Sequence, residues 1–284
     1  MTADAEPAGG WQSPERQAAL RVQLFLDKEG FGPGKIDGRW GGFSEKAALR
    51  WNASRKGMKI TILENGGLDL AKVAQIPFSG ELITTYTTVE KDHSLTGSFP
   101  PEPEEQAELK ELPYASLMEL VAEKFHADPD LIRELNSLAP DSDLEVGSEL
   151  RVPNVSEPFD IAEPAALASK GTSDDAISPG ANDNPSPEGK WKVYIISWMP
   201  EFRWDKSMLE DGKRSDEAYL LPPGPNNPVG IVWIGLNADG IGLHGTASPN
   251  AIGRNRSHGC IRLSNWDALK LAKSVIEGTP VTVK

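Results

Sequence analysis

Cysteine is almost absent from this sequence, which has a single one, Cys260, in 284 residues. One cysteine cannot form a disulfide within the chain, so the cysteine content does not distinguish an oxidising from a reducing compartment. Basic residues are also scarce, with 29 Lys and Arg against 42 Asp and Glu and a net charge of −13. Because binding to phosphates requires clustered Lys and Arg, no nucleic-acid partner is expected.

Long apolar runs are missing as well, and no stretch approaches the ~20 apolar residues of a membrane span. The chain begins with MTADAEPAGG, which lacks the basic and apolar regions of a signal peptide. If the protein works in the periplasm or cell envelope, we therefore expect this sequence to be a mature form from which a signal peptide was removed.

What the sequence does contain is a concentration of reactive groups over residues 244–262, HGTASPNAIGRNRSHGCIR. A free cysteine with a pKa near ~8.5 is mostly protonated at neutral pH, and a nearby histidine can take the proton to form the nucleophilic thiolate. Gly245 and Gly259 each follow a histidine and allow the backbone to approach a substrate closely. A small cysteine buried in a core is the alternative. The Ser-His-Gly-Cys unit, with a second His-Gly pair sixteen residues upstream, favours a catalytic Cys260.

Together, His244-Gly245-Thr246 and Ser257-His258-Gly259-Cys260-Ile261-Arg262 resemble the catalytic signature of the YkuD-type L,D-transpeptidases. These enzymes cross-link or decorate bacterial peptidoglycan through an acyl-enzyme on cysteine. The resemblance implies that Cys260 is the nucleophile and His244 its general base, with the His244 ring held by the backbone carbonyl of Gly245.

The same resemblance gives the neighbouring residues supporting roles. Main-chain N–H groups around Gly259 and Cys260 are expected to stabilise the oxyanion, and His258 is expected to shape the pocket. Ser257 is expected to support the site. Arg262 stands where some members of the family have Asn, and would orient a substrate carboxylate.

Three arginines lie near this signature, at positions 254, 256 and 262, and no Asp or Glu occurs between His244 and Trp266. A basic rim around the cysteine would suit an anionic peptide stem. The alternative is a solvated loop in which the arginines are incidental.

The N-terminal part of the chain predicts a small helical domain over residues 11–85. Ser13 and Pro14 are typical of a helix start, and Ser44 is predicted to begin a second helix. Between these helices lies the turn GKIDGRWG, residues 34–41. Two short helices around such a turn resemble the small peptidoglycan-binding domain of wall enzymes. A helical spacer that binds nothing is the alternative.

Residues 86–113 are rich in Pro and Glu and predict an acidic, partly extended linker. Residues 114–155 then predict two helices and a strand, an order that resembles a LysM module, which is a glycan-binding fold. The opening strand of a LysM module is not evident in the sequence.

The catalytic domain is predicted over residues 156–284, with a degenerate or linker-like entry over 156–189. Within that entry, Asn184–Gly189 resembles a proline motif that precedes a core strand in L,D-transpeptidases. Four strands and one helix are predicted after it: Lys192–Trp198, Ile231–Leu236, Ile241–His244, a helix from Asn265, and Pro280–Val283.

The predicted fold class is therefore multidomain α+β. A mainly β catalytic domain, similar to the L,D-transpeptidase β-sandwich, is expected at the C-terminus and a small helical domain at the N-terminus, with a small LysM-like α/β module between them.

The predicted function is that of a peptidoglycan L,D-transpeptidase, which forms a thioester with a stem tetrapeptide and transfers it to an amine. One alternative resolves the same thioester with water, as a carboxypeptidase or amidase, and another is a non-catalytic wall-binding adaptor. The expected partners are peptidoglycan stem peptides and glycan, with a wall-anchored protein as a further acceptor. No cofactor is expected, and no metal, since Cys260, His244 and His258 lack the usual zinc-ligand spacing.

Overall fold

The structure is a computed structural model that describes residues 10–161, 188–207, 215–238, 240–252 and 259–283. The chain separates into two compact units. Unit 1 contains the residues up to His93 together with Leu117–Asp160, and unit 2 contains Ser94–Ser116 together with the residues from Ile161 onward. Within the described ranges, no helix combines the length and the apolar character needed to cross a membrane.

The described helices are α1 (Pro14–Lys28), α2 (Gly42–Ser54), α3 (Leu70–Val73), α4 (Glu90–His93), α5 (Pro103–Gln106), α6 (Leu117–Lys124), α7 (Pro129–Asn136) and α8 (Asn265–Ser274). The described strands are β1 (Ile83–Thr87), β2 (Glu149–Pro153), β3 (Gly189–Trp198), β4 (Phe202–Trp204), β5 (Tyr219–Leu221), β6 (Val232–Leu236), β7 (Gly242–His244), β8 (Ile261–Arg262) and β9 (Pro280–Val283). This mixture of sheets and helices is an α+β architecture, as predicted.

The first helices of unit 1 follow the sequence signals closely but not completely. Helix α1 begins after Ser13, whose hydroxyl accepts a hydrogen bond from the N–H of Arg16 at 3.3 Å. Helix α2 begins at Gly42, two residues before the predicted start at Ser44. Ser44 does not cap this helix because it is buried, and its hydroxyl instead accepts a hydrogen bond from Nε2 of Gln23 at 3.1 Å.

The segment 114–155, for which a LysM-like module was predicted, ends in a strand that pairs with a strand outside these bounds, one that the sequence did not reveal. Strand β1 pairs antiparallel with β2, with Tyr86 opposite Leu150. Helices α6 and α7 lie between these strands in the chain and bury Leu120, Val121 and Ile132. The sequence ITTYT has the β-branched and aromatic residues that favour a strand, but it is short and lacks the alternation of apolar and polar residues that marks a half-buried strand.

The predicted linker at 86–113 does not exist as one segment. Its first two residues end β1, the residues through His93 stay in unit 1, and the remainder joins unit 2. We call Ser94–Ser116 the strap. It includes Tyr114–Ser116, which the sequence assigned to the LysM-like module. Composition misled the prediction here, since the Pro- and Glu-rich segment also contains Leu112, which is 0% exposed.

Unit 2 is built on a five-stranded sheet with the order β8-β7-β6-β3-β9. Only β7 and β8 run parallel, and the other pairs are antiparallel. Helix α8 packs on β6 and β7. The apolar side chains buried in this unit include Ile234, Leu243, Ile261, Ala268, Leu269 and Ala272.

Two strands outside this sheet were not predicted. Strand β5 lies in a stretch for which the sequence predicted no strand, and it pairs antiparallel with β4. Among the described residues these two strands form a separate two-stranded sheet. The predicted β-sandwich requires a second sheet packed on the five-stranded one, and it stays a prediction. The proline motif at 184–187 lies outside the described residues.

Candidate active site

His244 ends strand β7 and is 4% exposed. Its Nδ1 atom lies 2.6 Å from the backbone oxygen of Gly245. A carbonyl oxygen can only accept a hydrogen bond, so Nδ1 must carry the proton, and in the neutral ring Nε2 is left as a proton acceptor. The pKa of His244 is lowered to about 4, mainly because the ring is buried and to a smaller extent because of the charge of Arg262, while the hydrogen bond to Gly245 opposes the change. The ring is therefore neutral at neutral pH.

Cys260 lies one residue before β8 and is partly buried. Its Sγ atom hydrogen bonds to the backbone oxygen of Gly240 at 3.3 Å. Burial raises the pKa of the thiol, although a backbone hydrogen bond at Gly242 and the positive charge of Arg262 act in the opposite direction. The resting thiol is therefore protonated at neutral pH.

Parallel pairing between β7 and β8 brings the two reactive groups to one face of the sheet. The register places Leu243 opposite Ile261 and His244 opposite Arg262. Leu243 and Ile261 are each 2% exposed and face the core, so the alternation of a strand directs His244 and Arg262 to the other face. Cys260 precedes Ile261 and so shares this face with His244. The thiol and the imidazole therefore lie on the same face of the sheet.

A tryptophan covers this face of the sheet. Trp233 is the β6 partner of His244, and the two rings stack with centroids 5.5 Å apart and planes inclined by 19°. The same indole lies over Gly242, where an added Cβ would come within 2.6 Å of its ring. Trp233 thereby removes water from one face of the imidazole, which contributes to the low pKa of His244.

Behind His244, the side chain of Asn265 is wedged between two glycines. Asn265 is 0% exposed, and its Oδ1 atom accepts a hydrogen bond from the N–H of Ile231 at 3.2 Å. An added Cβ would lie 2.2 Å from Oδ1 at Gly245 and 2.0 Å from it at Gly230. Both positions require glycine for this reason. We call Gly230, Gly245 and Asn265 the amide joint; it fixes the residue whose carbonyl holds His244.

Of the residues predicted for the site, the structure places His244, Gly245, Gly259, Cys260 and Arg262 at or beside the facing ends of β7 and β8. Gly259 has a φ of 97°, in the region that favours glycine. Ser257 and His258 lie outside the described residues, as do the arginines at 254 and 256.

Sequence reasoning missed Trp233 and Asn265. Trp233 was interpreted as one more strand residue, and Asn265 only as the start of a helix. The signal available for Asn265 was its place after Ser264, which caps α8 with its hydroxyl at 3.1 Å from the N–H of Asp267. Because Ser264 already caps the helix, the side chain of Asn265 in the first turn is not needed for capping. It can therefore form hydrogen bonds with other parts of the chain.

Parts of this chain are similar to a known protein family and to several known proteins. The family model of the L,D-transpeptidase catalytic domain (YkuD) matches residues 166–283. The protein named "Putative L,D-transpeptidase YqjB" of Bacillus subtilis is 31% identical over 113 residues, which are 38% of this chain and 57% of that protein. "Putative L,D-transpeptidase YkuD" of the same organism is 44% identical over 69 residues, or 24% of this chain and 42% of that protein. The chain thus spans about half the length of the curated relatives it matches.

Solved structures of this class also match. L,D-transpeptidase 3 from Mycobacterium tuberculosis is 25% identical, covering 48% of this chain and 55% of that chain with a TM-score of 0.30. An L,D-transpeptidase from Mycobacterium smegmatis is 26% identical, covering 38% of this chain and 46% of that chain with a TM-score of 0.29. These scores are too low to transfer the position of any residue.

Proposed function

We propose that this chain, whose residues 166–283 carry a YkuD-type L,D-transpeptidase catalytic domain, is a peptidoglycan L,D-transpeptidase. One observation carries the proposal. The only cysteine of the chain lies on the same sheet face as a buried histidine whose Nδ1 is held by Gly245 at 2.6 Å, which leaves Nε2 to accept a proton. A histidine base beside a thiol is the minimal requirement for acyl transfer through a thioester.

In the proposed first half-reaction, Sγ of Cys260 attacks a carbonyl carbon of the stem tetrapeptide while Nε2 of His244 takes the thiol proton. The carbon–nitrogen bond to the terminal D-amino acid then breaks, and the imidazolium returns the proton to the leaving amine. The product is a thioester on Cys260. In the second half-reaction an amine attacks the thioester carbon and His244 takes the proton of that amine. The carbon–sulfur bond then breaks, and the imidazolium returns the proton to Sγ of Cys260, which restores the thiol.

The resting state determines how the proton must move. Because the pKa of Cys260 is raised and that of His244 is about 4, the free enzyme holds a neutral thiol and a neutral imidazole instead of an ion pair. Proton transfer therefore accompanies the attack, and the charge develops only when a carbonyl is present to accept the sulfur. This protects the thiol from unrelated electrophiles between turnovers.

The transition state needs groups that accept its negative charge. We assign the oxyanion to main-chain N–H groups at Gly259 and Cys260, where the positive φ of Gly259 turns the backbone. Arg262 lies opposite His244 across the β7–β8 pair, and we assign it to a carboxylate of the stem. His258 and Ser257 keep the supporting roles that the family signature implies.

The acceptor decides between transfer and hydrolysis, because both share the thioester. An amine acceptor gives a cross-linked or decorated stem, and water gives a trimmed stem. Mass spectrometry of muropeptides incubated with the full chain separates the two, since dimers indicate transfer and shortened monomers indicate hydrolysis.

We further propose that unit 1 binds peptidoglycan and that the protein acts in the cell envelope. The support is the resemblance of the sequence, in the turn GKIDGRWG and over residues 114–155, to wall-binding modules. Pelleting of the full-length Cys260→Ala variant with purified sacculi tests this, and a protein that stays in the supernatant at low salt would reject it.

The decisive experiment measures the acyl-enzyme itself. Intact-mass analysis after mixing with a stem tetrapeptide should show the added mass of the acyl group, and Cys260→Ala should show none. His244→Gln should slow acylation by about 10²–10⁴-fold. His93→Ala is the matched control, since His93 is an exposed histidine of unit 1. Equal acylation rates in the two histidine variants would remove His244 from the mechanism.

A further inference from the structure

The two ends of the strap are hydrogen bonded to each other. The N–H of Gly97 donates to the carbonyl of Tyr114 at 2.8 Å, and the N–H of Tyr114 donates to the carbonyl of Leu95 at 3.1 Å. The two ends of the strap are thus held side by side, and the residues between them project as a loop. A loop with paired ends keeps its own conformation, so the residues next to the paired ends can act as a fixed support.

The base of the strap, at Leu112 and Pro113 next to the paired Tyr114, is bonded to residues 222–230, which we call the proline loop. The N–H of Leu112 donates to the carbonyl of Pro223 at 2.8 Å, and the N–H of Asn226 donates back to Leu112 at 3.2 Å. Nδ2 of Asn226 also donates to the carbonyl of Pro113 at 2.7 Å. The approach is close, since a Cβ at Gly224 would lie 2.1 Å from the carbonyl oxygen of Leu112. Only glycine fits there.

A second contact is made by the middle of the strap. Helix α5 lies against strand β5, which leads directly into the proline loop. The negative charge of Glu104 on α5 raises the pKa of Tyr219 on β5, so these two side chains are close together. The strap therefore supports the proline loop both at the loop itself and at the strand before it.

The proline loop in turn contacts the amide joint. Nδ2 of Asn265 donates to the carbonyl of Pro225 at 3.3 Å, while Oδ1 accepts from Ile231 at 3.2 Å. Within the loop, the carbonyl of Asn227 accepts a hydrogen bond from the N–H of Gly230 at 2.8 Å. A displacement of Pro225 is therefore transmitted to Asn265, and through it to Gly245, which holds the His244 ring.

We propose that the strap is a positioning element for the active site. Its hydrogen bonds hold the proline loop against Asn265, and Asn265 in turn keeps Gly245 and His244 in place. The proposal rests on the proposed role of His244 as the base. Leu112, Pro113 and Asn226 are positioning residues, because they act on the reacting groups only through Asn265 and Gly245. The strap belongs to unit 2 in space, yet the chain enters it from α4 and leaves it into α6, both of which are in unit 1.

The test removes one strap contact and follows His244. Asn226→Ala deletes the hydrogen bond to Pro113 without touching the catalytic residues. Asn154→Ala is the matched control, because its Nδ2 likewise donates to a single backbone carbonyl, that of Glu81 at 2.9 Å, within unit 1. The pKa of His244 is measured by NMR titration of the four histidines, with His244→Gln for assignment. The acidic limb of kcat/KM is recorded in parallel.

If the strap positions the site, Asn226→Ala loosens Gly245 and lets water reach the imidazole, whose charged neighbour is Arg262. The pKa of His244 should then rise by about one unit or more, and kcat should fall about 3–10-fold with little change in KM. Asn154→Ala should leave all three unchanged. Should Asn226→Ala fail to fold, Asn226→Ser is measured in its place.

A purely structural contact would give a different result. Asn226→Ala would lower the melting temperature while the pKa of His244 and the acidic limb stayed at their wild-type values, and this would overturn the proposal. The NMR titration needs no turnover. If the wild-type chain formed no acyl-enzyme, the proposed function would fail, but the effect of the strap on His244 would still be decided.

Discussion

At the scale of single residues, the two reactive groups have opposite changes in pKa that share one cause. Burial disfavours the charged form of each group, so it raises the pKa of the Cys260 thiol and lowers that of the His244 imidazole. Arg262 favours the thiolate but disfavours the imidazolium. The result is a neutral pair that differs from the thiolate–imidazolium pair of other cysteine enzymes, and two predictions depend on it.

The first prediction concerns the reactivity of the thiol. Because only the thiolate is alkylated and the pKa of Cys260 is raised, the rate of alkylation by iodoacetamide should still be increasing with pH above pH 9. The measurement is the intact mass of the full chain over time, which is unambiguous since Cys260 is the only cysteine. His244→Gln should have nearly the same profile. A rate that reached a plateau below pH 8 would reveal a resting ion pair instead.

The second prediction concerns stability at acidic pH. The pKa of His244 is 6.5 in the unfolded chain and about 4 in the folded one. Above pH 6.5 the ring is neutral in both states, and this contribution to stability is fully present. Between pH 6.5 and 4 the unfolded state binds the extra proton, so stability falls as the pH falls, by on the order of 3 kcal/mol in total.

Urea unfolding of the wild type and of His244→Gln at several pH values isolates this effect from the carboxylates, which titrate in both proteins. The difference in unfolding free energy between the two proteins should change with pH over this window. Parallel curves from pH 7 to pH 4 would mean that His244 is not buried as a neutral ring.

At the scale of elements, the sequence predicted the parts of the catalytic unit that have a strong local pattern. Strands β3, β6 and β9 lie where runs of β-branched residues indicated them, and helix α8 begins at Asn265 as predicted. Strands β1, β4 and β5 were missed because they are short or half-exposed, and their pairing depends on partners far away in the sequence. The strap was mistaken for a linker for the same reason.

The residues of the candidate site likewise include some that the sequence predicted and some that it missed. His244, Gly245 and Cys260 belong to a compact sequence signature, and reasoning from residue chemistry reaches them directly. Asn265 and Trp233 do not, because their roles arise only from the fold: Asn265 contacts Ile231 across a separation of 34 residues. A buried amide that acts through distant backbone groups leaves no local pattern.

The third prediction tests the amide joint between β7 and α8. Gly245→Ala places a Cβ where Oδ1 of Asn265 lies, 2.2 Å away, so we expect a loss of about 1–3 kcal/mol in unfolding free energy. Asn265→Ala removes the obstructing oxygen. The double variant should therefore be more stable than the sum of the single changes implies, by about 0.5–3 kcal/mol.

Chemical denaturation of the four proteins gives this coupling energy. Gly42→Ala is the control, since an added Cβ there meets no atom within 4 Å and should cost almost nothing. Additive single changes would show that Gly245 and Asn265 do not compete for the same space.

At the scale of the whole molecule, the front half is one unit where the sequence predicted two modules. The N–H of Ile36, in the turn GKIDGRWG, donates to the carbonyl of His126 at 2.7 Å, and its carbonyl accepts from Asp128 at 2.9 Å. His126 is buried and bonds to Asp27 of α1 at 2.9 Å. The turn that resembles a wall-binding motif therefore also joins the helical part to the LysM-like part. Such contacts were unpredictable because they link residues about a hundred positions apart.

The fourth prediction tests this junction through its ion pair. Arg16 is 4% exposed and binds both carboxylate oxygens of Glu134 on α7, at 2.8 and 2.9 Å. Glu134→Gln leaves the guanidinium buried without its counter-charge, so we expect a loss on the order of 3 kcal/mol. Hydrogen exchange should accelerate in α1 and α7 but not in β6 and β7, because the junction lies within unit 1.

Asp130→Asn is the matched control on the same helix. It also removes a carboxylate from an arginine, Arg133 at 2.9 Å, but the Asp130 side chain is 88% exposed. An exposed pair of this kind contributes about 0–1 kcal/mol, so exchange in α1 should not change. If Glu134→Gln and Asp130→Asn had equal effects on exchange in α1, the helical and LysM-like parts would not be joined through this ion pair. A loss confined to α7 would mean that Arg16 keeps α1 in place through its bonds to the carbonyls of Asp37 and Gly38 alone.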